Sequence, residues 1–160
     1  MRFLTDQEAK TYAERHVGSD GLPVVDALPG SRTQSFEAAP GHTYFARAKE
    51  IVESLGYFDW CLVWVVEWGV WASNENLHLY YRLRESYGDH SHLGERPAAL
   101  ALRHEVADVV TLVHLGMMFG WDMYLLTSPD YGRAFISHDG YFQLGAVDAD
   151  SGEPSERPAT

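Results

Sequence analysis

Apolar positions recur at helical spacing over residues 43–55, where Tyr44, Ala48, Ile51, Val52 and Leu55 fall on one face. Gly56 stands where a C-terminal cap belongs, so the spacing predicts a helix that stops there. Nearer the start, Thr5-Asp6-Gln7-Glu8 has the form of a capping box, with Thr5 capping and Glu8 reaching back. It predicts a helix over residues 6–16, ended near Gly18. Residues 18–41 are rich in Gly, Pro, Ser and Asp and punctuate short extended pieces such as 22–27.

Residues 59–73, DWCLVWVVEWGVWAS, change the period. Trp60, Leu62, Trp64, Val66 and Trp68 alternate with Cys61, Val63, Val65 and Glu67. The density of valine and tryptophan favours a strand, apolar on both faces and therefore interior to its sheet. On this reading Trp60 and Trp64 are packing residues. Gly69 marks a bulge or the strand's end, and Trp71 falls out of phase.

Ser73 or Asn74 is placed to cap a third helix that runs to about residue 87, with Gly88 beyond it. A short strand is expected over 99–103. A long helix follows over 105–119, with a narrow polar stripe of Glu105, Asp108, Thr111 and His114, and Gly120 ends it. Residues 121–126 read as a second buried strand, and Ser128-Pro129 as the start of a short helical turn. A strand is expected over 133–137, then His138-Asp139-Gly140 as a turn, and 141–144 reads as strand or helix, with strand preferred. The alternation predicts an α/β or α+β fold, a small mixed sheet of four to five strands covered by helices. Long helical connections favour at least one parallel pair. Residues 1–147 are expected to form one globular domain and 148–160 a disordered acidic tail.

Composition narrows the function classes. The chain has 160 residues, long enough to bury a real core. The longest apolar run is far too short to span a bilayer, and the first ten residues do not resemble a secretory signal. The single cysteine, Cys61, excludes an internal disulfide and a multi-cysteine metal site, and points to a cytoplasmic home. The net charge is −11, of which residues 147–160 supply four acids and one arginine, or −3. The remaining 19 acids and 11 bases leave −8 on the body, which disfavours nucleic acid and anionic membrane and favours solubility or a basic partner.

Glu67 is the one charged residue in an apolar strand. It is either a ligand-contacting acid or general base beside aromatic walls, or a strand-end residue paired with Arg82 or Arg84. Trp68, Trp71 and Glu75 lie where that strand leads into the next helix, which carries Tyr81 and Arg84. These six residues form the candidate binding surface, with aromatic rings as anchors; the alternative is ordinary core and rim packing, since Leu77, Tyr80, Tyr81 and Arg84 share an apolar line on that helix. His90-Ser91-His92 offers two imidazoles that zinc could take with Asp89, Glu95 or His104, but such pairs arise readily among eight histidines, and no metal is assigned. His138-Asp139 has the form of an acid–base pair, although adjacent turn residues rarely face each other, which favours a turn role. No nucleophile elbow, phosphate loop, dinucleotide fingerprint or zinc-protease helix occurs, so no catalytic residue and no cofactor are assigned. Cys61 is expected to be a buried, inert thiol.

Residues 65–89 and 119–141, with Gly-Trp-Asp-x-Tyr-Leu followed by Phe-x-Ser-His-Asp, resemble segments of small uncharacterised bacterial proteins and are similar to small acidic immunity proteins of bacterial toxin systems. The resemblance covers under a third of the chain and carries no residue assignment. It implies a non-enzymatic, partner-binding role; joined to the acidic charge, which favours a basic partner, this gives an immunity-type inhibitor or accessory protein as the leading reading. The alternatives are a small-molecule-binding domain or an enzyme using Glu67 with His138 or His104 as acid and base, and a structural subunit forming a homodimer.

Overall fold

A computed structural model describes residues 1–17, 32–35, 43–69, 77–129 and 132–145. In chain order the elements are β1 (Arg2–Leu4), α1 (Asp6–Val17), β2 (Arg32–Ser35), α2 (Tyr44–Ser54), β3 (Phe58–Glu67), α3 (Leu77–Ser86), β4 (Ala98–Leu102), a 3₁₀ turn (Arg103–Glu105), α4 (Val106–Phe119), β5 (Asp122–Pro129), β6 (Arg133–Ser137) and β7 (Tyr141–Gly145). The strands form one sheet in the order β1-β4-β3-β5-β6-β7-β2.

The expected mixed sheet of four to five strands is corrected on two counts. Among the described residues there are seven strands, and every pairing between them is antiparallel. The expectation of a parallel pair had a physical basis that the topology redirects. Both β4 and β5 run antiparallel to β3, so they are parallel to each other and α4 joins them as a crossover. β3 lies between them and pairs with both. The two edge strands, β1 and β2, have three and four residues and too little alternation to stand out in the sequence. Ser128-Pro129 does not begin a helical turn. It ends β5, where Pro129 lies opposite Phe58.

Local chemistry accounts for the helices. Thr5 and Glu8 close the capping box, with Thr5 N donating to Glu8 Oε2 at 2.8 Å and Glu8 N to Thr5 Oγ1 at 3.3 Å. Thr43 caps α2 by accepting from Ala46 N at 3.3 Å. α4 ends at Gly120, whose left-handed backbone (φ 64°) suits a residue without a Cβ. The expected cap of α3 at Ser73 or Asn74, the extended piece at 22–27 and the acidic tail lie outside the described residues.

β3 has two buried faces, as its alternation predicts. Cys61, Val63 and Val65 join the main core with α2, α4, Tyr80 of α3 and the inner faces of β5, β6 and β7. Leu62 and Trp64 join a second core with Ala9 and Ala13 of α1. Trp64 is 2% exposed, and its indole Nε1 donates to Asp6 Oδ1 at 3.2 Å. Trp60 meets Tyr12 edge to face at 5.0 Å. Burial pushes the Cys61 thiol up to about 12, which keeps it protonated and inert. Gly116 permits the close approach of α4 to the sheet: a Cβ there would overlap the tip of Met123. No described helix is long and apolar enough to cross a membrane.

Candidate functional site

The register of β3 against β5 slips between Val65 and Glu67, so a bulge ends the apolar strand. Beyond it Glu67 stands opposite Asp122, the first residue of β5. β6 runs antiparallel to β5, and its exit therefore returns to the same end of the sheet, where the 138–140 turn begins. His138 there donates its backbone N–H to Asp122 Oδ1 at 2.6 Å, and its ring Nδ1 lies 2.9 Å from the same oxygen. Nε2 lies 3.5 Å from Asp139 Oδ1, so the adjacent turn residues do approach each other. One ligand atom each from Glu67, Asp122 and His138 lie within 4.8 Å of one another. The hydrogen bond with Asp122 raises the His138 pKa, burial opposes it, and the charges of Asp122, Asp139 and Glu67 add to the rise. Chemically the group can hold a proton, accept a basic side chain or ligate a cation.

The other predicted site residues separate. Trp68 follows the bulge and turns to the main core, half-buried against Trp121 at 4.6 Å and Tyr80 at 5.9 Å. Strict alternation had put it on the face of Trp60 and Trp64. Tyr81 is half-buried beside Tyr80. Arg84 is fully buried: Nε donates to Asp89 Oδ2 at 2.5 Å and Nη2 to Ser91 Oγ at 2.6 Å, and the guanidinium lies over the Phe3 and Tyr80 rings. It therefore neither pairs with Glu67 nor faces solvent; it ties α3 to the 89–93 loop. Glu67 has no hydrogen bond or ion pair among the described residues. Trp71 and Glu75 lie outside the described residues.

The His90-x-His92 alternative does not assemble. Asp89 is held by Arg84, Ser91 and Arg96 instead, and among the described residues the only potential metal-ligating group is Glu67, Asp122 and His138. His104 lies on the 3₁₀ turn and is not part of it. Asp122 was missed by sequence reasoning. Its signal was present: an acid opens an apolar strand just as Glu67 closes one, and antiparallel pairing brings such ends together.

The chain also carries a groove of about 640 Å³ between α2 and α4, lined by Phe45, Val52, Phe58, Val106, Ala107 and Val110, with Lys49 and Glu53 among its polar members. Phe45 and Val106 remain 51% and 43% exposed. Phe45 stands three residues before Ala48 and seven before Val52, at the edge of the apolar face of α2, so its place beside Val52 in the groove follows from helical spacing. A second groove of about 500 Å³ lies beside Trp68, where Asp6 and Lys10 mix with Trp64 and Val66. Comparison with protein-family models, with curated proteins and with solved structures finds no match to this chain.

Proposed function

We propose that this chain is a non-enzymatic binding protein whose groove between α2 and α4 takes the apolar face of a basic amphipathic segment of a partner protein. The observation that supports it is the groove itself: six apolar side chains between two helices, with an aromatic ring and a valine left in solvent at its edges. Such a slot suits a helix presenting residues at i, i+3, i+4 and i+7. Exposed apolar side chains gathered on one surface mark interaction sites more often than isolated ones do.

Charge selects the partner. A second copy of the chain would bring another −11 to the same interface, whereas a basic segment is steered towards it. A basic toxin held by an acidic immunity-type protein is a pairing of this kind, and the resemblance of residues 65–89 and 119–141 to such proteins supports it.

Fluorescence anisotropy with a labelled Leu/Lys amphipathic helical peptide tests the reading, with a Leu/Glu peptide as control. The Leu/Lys peptide is expected to bind the wild-type chain and to be weakened at least tenfold by Phe45→Asp. That variant makes the protein more acidic, so charge alone would strengthen binding. Equal or tighter binding to the variant would contradict the groove as the docking surface.

A second reading, a small-molecule site or an enzyme, is favoured by the approach of Glu67 to His138. It uses the two as base and acid at the sheet end. It requires a ligand whose binding or turnover is lost in Glu67→Gln while peptide binding at the groove persists.

A further inference from the structure

We propose that Glu67, Asp122 and His138 form a binding site for a divalent transition-metal ion of the Zn²⁺ or Mn²⁺ kind, independent of the groove between α2 and α4. The three donors come from the end of β3, the start of β5 and the turn after β6, which are distant in sequence and joined by two antiparallel ladders. Their ligand atoms already lie within 4.8 Å of one another, a span that one ion can bridge by small rotamer adjustments.

Electrostatics gives the second argument. Glu67 and Asp122 are directly opposed across β3 and β5, and like charges in that position repel. Asp139 adds a third carboxylate, 3.5 Å from the imidazole. Among the described residues no lysine or arginine is paired with any of the three acids. The contrast with Asp89 is direct, because Arg84 and Arg96 both neutralise that carboxylate. Among the described residues the sheet end thus gathers three carboxylates with histidine as their only basic partner. A bound dication would remove the repulsion that the strand pairing imposes.

Donor type selects the ion. Two carboxylates and one imidazole suit borderline transition metals, whereas Mg²⁺ and Ca²⁺ prefer oxygen alone. On binding, the hydrogen bond between Asp122 and the His138 ring is exchanged for bonds from both groups to the ion. Three protein ligands leave coordination positions for water or for an anionic group of a ligand. Asp139, next to the imidazole, is placed to orient it in the manner of an outer carboxylate.

Calorimetric titration of the full chain with ZnCl₂, MnCl₂ and MgCl₂ tests the site. One saturable site for Zn²⁺ and Mn²⁺ is expected, and none for Mg²⁺. Glu67→Gln and His138→Ala are each expected to weaken the transition-metal site about tenfold or more. A His90→Ala, His92→Ala double variant is expected to bind as the wild type does. Near-UV circular dichroism confirms that each variant is folded, and Mn²⁺ should selectively broaden the amide resonances of residues 122 and 138. Absence of saturable binding, binding unchanged in both single variants, or binding lost in the double-histidine variant would each overturn the proposal. Because peptide binding at the groove uses none of these residues, failure here leaves the proposed function standing, and the reverse also holds.

Discussion

Glu67 and Asp122 face each other across the β3–β5 ladder, one closing its strand and the other opening its own. Two acids in that register repel, and the pairing persists because β3 and β5 are otherwise joined along apolar positions from Cys61 to Val65. Glu67→Lys turns the repulsion into attraction. Without metal it should stabilise the chain by about 0.5 kcal/mol in urea unfolding, a small figure because the pair meets solvent. In Zn²⁺ the order should reverse, since only the wild type gains from the ion. A variant less stable than wild type in chelator would contradict this account of the sheet end.

Arg84 carries the opposite kind of interaction. Its guanidinium is inaccessible to solvent, forked between Asp89 and Ser91 and sandwiched near the Phe3 and Tyr80 rings. Arg84→Ala removes the buried cation of the pair and leaves the Asp89 carboxylate only the half-exposed Arg96 as a counter-charge, which should cost about 3 kcal/mol in denaturant unfolding. Arg84→Lys should recover only part of this, because an ammonium cannot reproduce the planar fork.

Asp89 predicts how stability responds to acid. Burial pushes its carboxyl up, but hydrogen bonds from Ser91 and Arg84 and the charges of Arg84 and Arg96 outweigh burial and hold the pKa below the ordinary value. The folded state therefore binds this proton more weakly than the unfolded chain does. Its stabilisation is fully present above the ordinary carboxylate pKa and is lost as pH falls from there through the depressed folded value. Unfolding free energy measured against pH should fall on that acid limb. Asp89→Asn should show a shallower limb, and an unchanged slope would contradict the assignment.

Gly132 tests packing where β6 begins. A Cβ there would stand 2.7 Å from Thr127 Oγ1 and 2.9 Å from the Leu55 carbonyl oxygen, and the second of these is backbone that cannot swing aside. Gly132→Ala should lower stability by about 1–3 kcal/mol, seen as a lower thermal midpoint.

The helices and the interior strands could be read from the chain because each carries a strong local signal. The Thr5–Glu8 box, the 44/48/51/52/55 stripe with Gly56 behind it, and the two-faced apolar run from Cys61 to Val65 each matched their element. Strand direction was not legible, since it depends on where a helical connection returns the chain. The α4 crossover joins parallel strands, yet β3 between them makes both pairings antiparallel. That single point hid the trio, because a parallel neighbour would not have brought Asp122 to Glu67. The sequence leaves Arg84 open between the binding surface and the apolar line of its helix, and it is buried. On a helical wheel a buried arginine resembles a surface one until its partners on the 89–93 loop are known. Trp68 was put on the wrong face because a bulge between Val65 and Glu67 shifts every later residue by one, and Gly69 lies beyond both the bulge and the last residue of β3, so it did not mark the place.

The most direct test of the proposed binding role is a map of where a basic helix lands. Amide chemical shifts of the labelled full chain should be followed as the Leu/Lys amphipathic peptide is added, and again with the Leu/Glu control. The account predicts perturbations concentrated on Phe45, Lys49, Val52, Val106, Ala107 and Val110, the walls of the groove between α2 and α4, and none of comparable size with the control. Shifts centred on Glu67, Asp122 and Asp139, or spread evenly over the acidic surface, would contradict it.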